Sequence, residues 1–119
     1  MTGGARVTMI MVMVKEQPFA LTYDPEVEQH PRNIERKHHS LIRKAIDEQL
    51  QFEPQTETRN RKPLQQPAAF AATWELGFGP ANQFRVLYAV DSERREVQIL
   101  AISVKDRNRL IVGGEEVEL

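Results

Sequence analysis

The sequence predicts an α+β domain: an N-terminal strand, a two-helix hairpin, then a three-stranded antiparallel sheet with both helices on one face. Three patterns carry that prediction. Phe19, Leu21 and Tyr23 alternate with Ala20 and Thr22, a period of two that marks a short strand. Val27, Ile34, Leu41, Ile42, Ala45, Ile46 and Leu50 then recur at helical spacing. Finally, three apolar runs, Phe70–Phe78, Phe84–Val90 and Val97–Val104, follow one another across short polar connections.

Asp24-Pro25-Glu26 reads as a helix start. The aspartate can cap free amides, proline tolerates the first helical position, and glutamate suits the positive end of the helix dipole. The spacing predicts helices over 25–37 and 40–51, with Ser40 capping the second. Pro31 conflicts with this reading, because proline inside an α-helix removes a hydrogen bond and costs about 3 kcal/mol. The helix is expected either to kink there or to begin near His30.

Residues 53–67 hold Pro54, Pro63 and Pro67 with little apolar content and read as a loop. Gly79-Pro80-Ala81-Asn82 and Asp91-Ser92-Glu93-Arg94 read as the turns of two antiparallel hairpins. In the last run only Gln98 and Ser103 are polar, which suits a central strand buried on both faces.

Composition narrows the function classes. The chain has 119 residues, 40% hydrophobic and 28% charged, the profile of a folded globular domain. It contains no cysteine, which excludes disulfides and thiolate metal sites and fits a reducing, cytoplasmic setting. Net charge is −1, but positions 59–109 hold nine Lys or Arg against five Asp or Glu. An anion-binding surface is therefore expected in that part of the chain. Residues 111–119 carry Glu115, Glu116 and Glu118 without a base and read as an acidic C-terminal tail. Residues 1–16, with the uncharged run Val7–Val14, read as an N-terminal extension. That run is far short of the roughly 20 apolar residues a membrane span needs. The main domain is accordingly placed at 17–110.

Thr73-Trp74-Glu75-Leu76, Phe84-Arg85-Val86-Leu87-Tyr88 and Ile99-Leu100-Ala101-Ile102-Ser103-Val104-Lys105-Asp106-Arg107, after a helical pair and the basic stretch Arg59-Asn60-Arg61-Lys62, resemble the sheet of RelE/ParE toxins. The resemblance implies the toxin of a type II toxin–antitoxin system, held inactive by an antitoxin that wraps around it. A RelE-like member would cut messenger RNA on the ribosome without a metal or other cofactor. A ParE-like member would bind DNA gyrase, and an inert member would only bind its antitoxin.

Metal-free RNA cleavage needs an activated 2′-hydroxyl, a stabilised phosphorane and a protonated leaving oxygen. Arg and Lys suit the second task because they hold phosphate through fixed donors. Lys105, Arg107 and Arg85 are the candidate catalytic cations, and Arg59, Arg61, Lys62 and Arg109 the candidate phosphate contacts. Arg61, Arg85, Lys105 and Arg107 are expected to line one open face of the sheet, away from the helices. His30, His38 and His39 lack metal spacing and lie on the helical pair, away from that face. Trp74 and Tyr88 read as core.

Four positions depart from the family pattern. Ile111-Val112-Gly113-Gly114 stands where a terminal tyrosine is frequent, Gly77 where a basic residue is frequent, Ser103 where glycine is frequent, and Pro31 where an apolar helix residue is preferred. They predict a toxin partly or wholly weakened, in which Gly77→Arg would raise toxicity with little gain in stability and Pro31→Leu would raise stability by roughly 3 kcal/mol.

Overall fold

Alternation along each strand decides which face a residue presents. In the computed structural model, which describes residues 17–119, that alternation builds two apolar clusters on opposite sides of one sheet. The extension read at 1–16 lies outside the described residues. Among the described residues there are seven strands and one α-helix. They are β1 (Ala20–Tyr23), α1 (His39–Leu50), β2 (Arg61–Pro63), β3 (Trp74–Phe78), β4 (Phe84–Asp91), β5 (Glu96–Asp106), β6 (Arg109–Val112) and β7 (Glu115–Val117).

The sheet order is β2-β3-β4-β5-β6-β7, with every neighbour antiparallel. β1 lies off this path and runs parallel to β5. Because β4 occupies one edge of β5, β1 and β6 must share the other. β1 pairs with Glu96–Ile99 and β6 with Ser103–Asp106. A bulge leaves Leu100 as an extra residue, since Leu87 faces Ala101 while Tyr88 faces Ile99.

The predicted three-stranded sheet is thus too small. β2 forms inside the stretch expected to be a loop, and β6 and β7 form where a tail was expected. The strand expected from Phe70 begins only at Trp74. Residues 69–71 are a 3₁₀ turn in which Phe70 and Ala71 adopt φ of 60° and 57°.

The helical pair also differs from expectation. Asp24 accepts a hydrogen bond from the Glu26 amide at 3.1 Å, as a cap should, but Pro25–Asn33 is a 3₁₀ helix. Pro31 explains the change, since its ring clashes with the carbonyl four residues back in α geometry. The tighter winding bonds at a spacing of three, as in Ile34 N–H to Pro31 C=O at 2.9 Å. His39 Nε2 lies 2.9 Å from both Pro31 O and Ile34 O and ties the end of this helix to the start of α1. A short 3₁₀ turn, Arg36–His38, then leads into α1.

Both helical segments cover one face. Val27, Ile34, Ile42, Ile46 and Leu50 pack there against Leu76, Phe84, Val86, Tyr88, Val97 and Ile99. On the other face Ala72, Leu87, Ala101, Leu110 and Val112 form a smaller cluster with Leu64, Leu100 and Val117. No helix among the described residues is long and apolar enough to cross a membrane.

Candidate functional site

The second face is concave. One cavity of about 450 Å³ is lined by Lys62 of β2, Glu75 of β3, Arg85 of β4, Lys105 of β5, Leu110 of β6 and Val117 of β7. One trough thus touches all six strands of the main path, including both outer strands, so the sheet must curl to bring them together. Arg109, Asn108, Glu116 and Glu118 complete its rim.

Strand register places each group. Lys62 pairs with Glu75, Arg85 with Gly77 and Ser103, and Lys105 with Leu110, all on the face away from the helices. Arg85 is pinned at several points. Its Nη1 meets Glu75 Oε1 at 3.2 Å and its Nε donates to Asn82 O at 2.9 Å. The Arg85 side chain lies over Gly77, where an added Cβ would come within 3.0 Å of Nε and 3.2 Å of Cδ. Ser103 Oγ donates to the Arg85 carbonyl at 2.8 Å and stitches the two strands beneath. Gly77 leaves the room that the Arg85 side chain occupies, and Ser103 bonds its backbone.

Glu75 is the residue that sequence reasoning missed. Its side chain is 5% exposed, and Lys62 Nζ at 3.6 Å and Arg85 converge on the same oxygen. The signal available was one acid in a five-residue run that is otherwise apolar or glycine, on the same side as Gly77. Arg109 pairs with Asp106 at 3.1 Å, both about half exposed. Lys105 has no ion pair among the described residues, and its backbone amide is fixed by the Gln83 carbonyl at 2.6 Å.

The structure brings together Lys62, Arg85, Lys105 and Arg109, but not the other three predicted cations. Arg61 is a correction. It pairs with Leu76, a core residue, so alternation turns its side chain inward. It is 3% exposed and donates to Thr56 O, Gln49 O and Gln49 Oε1 at 2.9–3.1 Å. Those bonds tie the loop after α1 to the helix C-terminus. Arg107 sits in the β5–β6 turn with φ of 59°, and Arg59 in the exposed loop before β2; neither lines the trough.

The histidines have structural tasks. β5 leaves a gap on its edge between β1 and β6, and there Ile102 N–H donates to His30 Nδ1 at 3.2 Å. Burial lowers the His30 pKa, in keeping with a neutral acceptor. His38 packs against Phe84 with ring centroids 5.0 Å apart. Tyr88 is fully buried, stacks on Trp74 and donates to Pro54 O at 2.6 Å, so it offers no face to a base. No group of three His, Cys, Asp or Glu among the described residues is placed to hold a metal.

A trough of this kind can hold one or two phosphates beside a carboxylate. No family model matches the sequence, and no curated protein does. Among solved structures the chain is similar to a chain of the toxin–antitoxin complex RelBE2 from Mycobacterium tuberculosis. The TM-score is 0.60 at 22% identity, covering 74% of this chain and 99% of the other. At that identity the likeness is one of fold, and the chain has the fold found in that complex.

Proposed function

We propose that this chain is the toxin of a type II toxin–antitoxin pair, a RelE-like endonuclease of reduced strength that cuts messenger RNA on the ribosome. The observation that carries the reading is the convergence of Lys62, Arg85 and Lys105 around Glu75 in one open trough. The cations suit the phosphorane, and Lys105, without an ion pair, is the donor best placed to meet a phosphate. Glu75 supplies what cations cannot, a carboxylate at the phosphate site to accept the 2′-hydroxyl proton. The likeness to a chain of RelBE2 supports an antitoxin as partner.

Purified protein added to cell-free translation should stall synthesis and cut the message, and Lys105→Ala or Glu75→Gln should lose that effect while keeping the fold. Intact message with inhibited DNA supercoiling would replace this reading with the gyrase-directed one. One observation favours that second reading. Three of the four trough cations are already neutralised, Lys62 and Arg85 by Glu75 and Arg109 by Asp106.

A further inference from the structure

We infer that a side-chain clasp between Asn60 and Asn82 aims the Arg85 guanidinium at phosphate, which makes both asparagines positioning residues of the trough. The inference rests on the trough being the RNA site.

A long, flexible cation is a poor match for a single transition-state geometry, so what holds its head still matters to the reaction. Arg85 is held at two points. Its Nε donates to the Asn82 carbonyl at 2.9 Å, and its Nη1 meets Glu75 Oε1 at 3.2 Å. Nη2 has no partner among the described residues, so the outer edge of the guanidinium is the fork left to grip two oxygens of one phosphate. Because the group is planar, fixing Nε fixes the direction of that edge.

The Asn82 carbonyl owes its own direction to an unusual turn. Ala81 and Asn82 lie at φ of 52° and 56°, left-handed values that asparagine tolerates better than most residues. Bonds from Asn82 N–H to Gly79 C=O at 2.9 Å and from Gln83 N–H to Pro80 C=O at 3.1 Å close the turn upon itself. On its far side the Gln83 carbonyl is held by the Lys105 amide. On the β2 side the tie is the Asn82 side chain, whose Nδ2 donates to Asn60 Oδ1 at 3.2 Å. Asn60 is itself anchored, since its carbonyl accepts the Gly77 N–H at 2.7 Å and continues the β2–β3 pairing by one residue. Gly77 leaves the space for this arrangement, because an added Cβ would lie 3.2 Å from Asn82 Nδ2. Constraint thus passes from β3 through Asn60 and Asn82 to Arg85. An exposed amide bond of this kind adds little to stability, so its loss shows in the aim of Arg85 rather than in folding.

The test is single-turnover cleavage of a defined message on purified ribosomes, with the full chain in excess. It is read beside the NMR signal of the Arg85 Nε–H, assigned by its loss in Arg85→Lys. Asn60→Ala removes the acceptor and should slow the saturated cleavage step about tenfold, while the protein concentration giving half the maximal rate shifts less than about twofold. Its Arg85 Nε–H should exchange with water faster than in the unaltered protein. Asn60→Asp keeps an acceptor for Asn82 Nδ2 and should recover both the rate and the slow exchange. An unslowed Asn60→Ala, or an Asn60→Asp as slow as Asn60→Ala, overturns the clasp and leaves the trough as the RNA site. If the unaltered protein does not cut at all, the endonuclease reading fails, and the exchange comparison alone decides the clasp: equal Nε–H exchange in Asn60→Ala and the unaltered protein overturns it.

Discussion

Gly77 shows how a residue can mean one thing in a string and another in a fold. In the sequence it is a missing phosphate contact, and Gly77→Arg looks like a repair. In the structure a side chain there would press on Arg85 Nε and on Asn82 Nδ2, at 3.0 and 3.2 Å. The substitution should destabilise the protein by about 1–3 kcal/mol, as overpacking does, and should not raise nuclease activity. Urea unfolding beside the translation assay checks both; a stable, more toxic variant would show that Arg85 has another place to go. Arg61 and Lys62 are neighbours with opposite fates. Arg61→Ala removes three hydrogen bonds from a buried site and should cost about 2–4 kcal/mol. Lys62→Ala, at a side chain 60% exposed, should stay within about 0.5 kcal/mol. Thermal melting of the pair should separate them cleanly, and equal shifts would contradict the inward turn of Arg61.

At the scale of elements, β3, β4 and β5 were legible because each carries enough residues for alternation to be counted. β2, β6 and β7 were not, since three or four residues do not define a period and they sit among prolines, glycines and acids that read as loop or tail. The site was legible to the same extent. Lys62, Arg85, Lys105 and Arg109 were found as basic residues, whereas the strand register that turns Arg61 away depends on a pairing with Leu76 that no local pattern announces. The Pro25–Asn33 segment shows the limit of spacing as evidence, because 3₁₀ and α windings place apolar residues almost alike over two turns. Since Pro31 is accommodated there, Pro31→Leu should not add the 3 kcal/mol expected of an α-helix. It should lower stability by up to about 1 kcal/mol by loosening the unfolded chain. The same segment carries His30, whose folded pKa lies below its ordinary value near 6.5. The unfolded chain therefore binds the extra proton more readily. Stability from this group is full above about pH 6.5 and is lost as pH falls through the lowered folded value. His30→Gln should flatten that dependence in urea midpoints compared between neutral and mildly acid buffer; an unchanged slope would place its cause in other groups.

For the whole molecule, charge is the property that decides behaviour. The net charge is −1, and three of the four trough cations are paired within the protein. RNA binding should accordingly depend weakly on salt, with log affinity falling against log salt at a slope of about −1 to −2. A slope of many units would mean that Arg59, Arg107 or other cations outside the trough make the contact. An antitoxin segment should bind far more tightly than RNA, with a negative heat-capacity change as apolar surface is covered, and calorimetry with the product of the adjacent gene tests this. One long-range pairing bears on how such a protein comes into being. Ala20 lies beside Glu96, and the cavity wall is completed only by Glu116 to Leu119. During synthesis the first strand has no partner until Glu96–Ile99 have been made, and the trough lacks one side until Glu116–Leu119 follow. A nascent chain that has not yet reached Glu116 therefore lacks one wall of its trough, whatever the finished fold does.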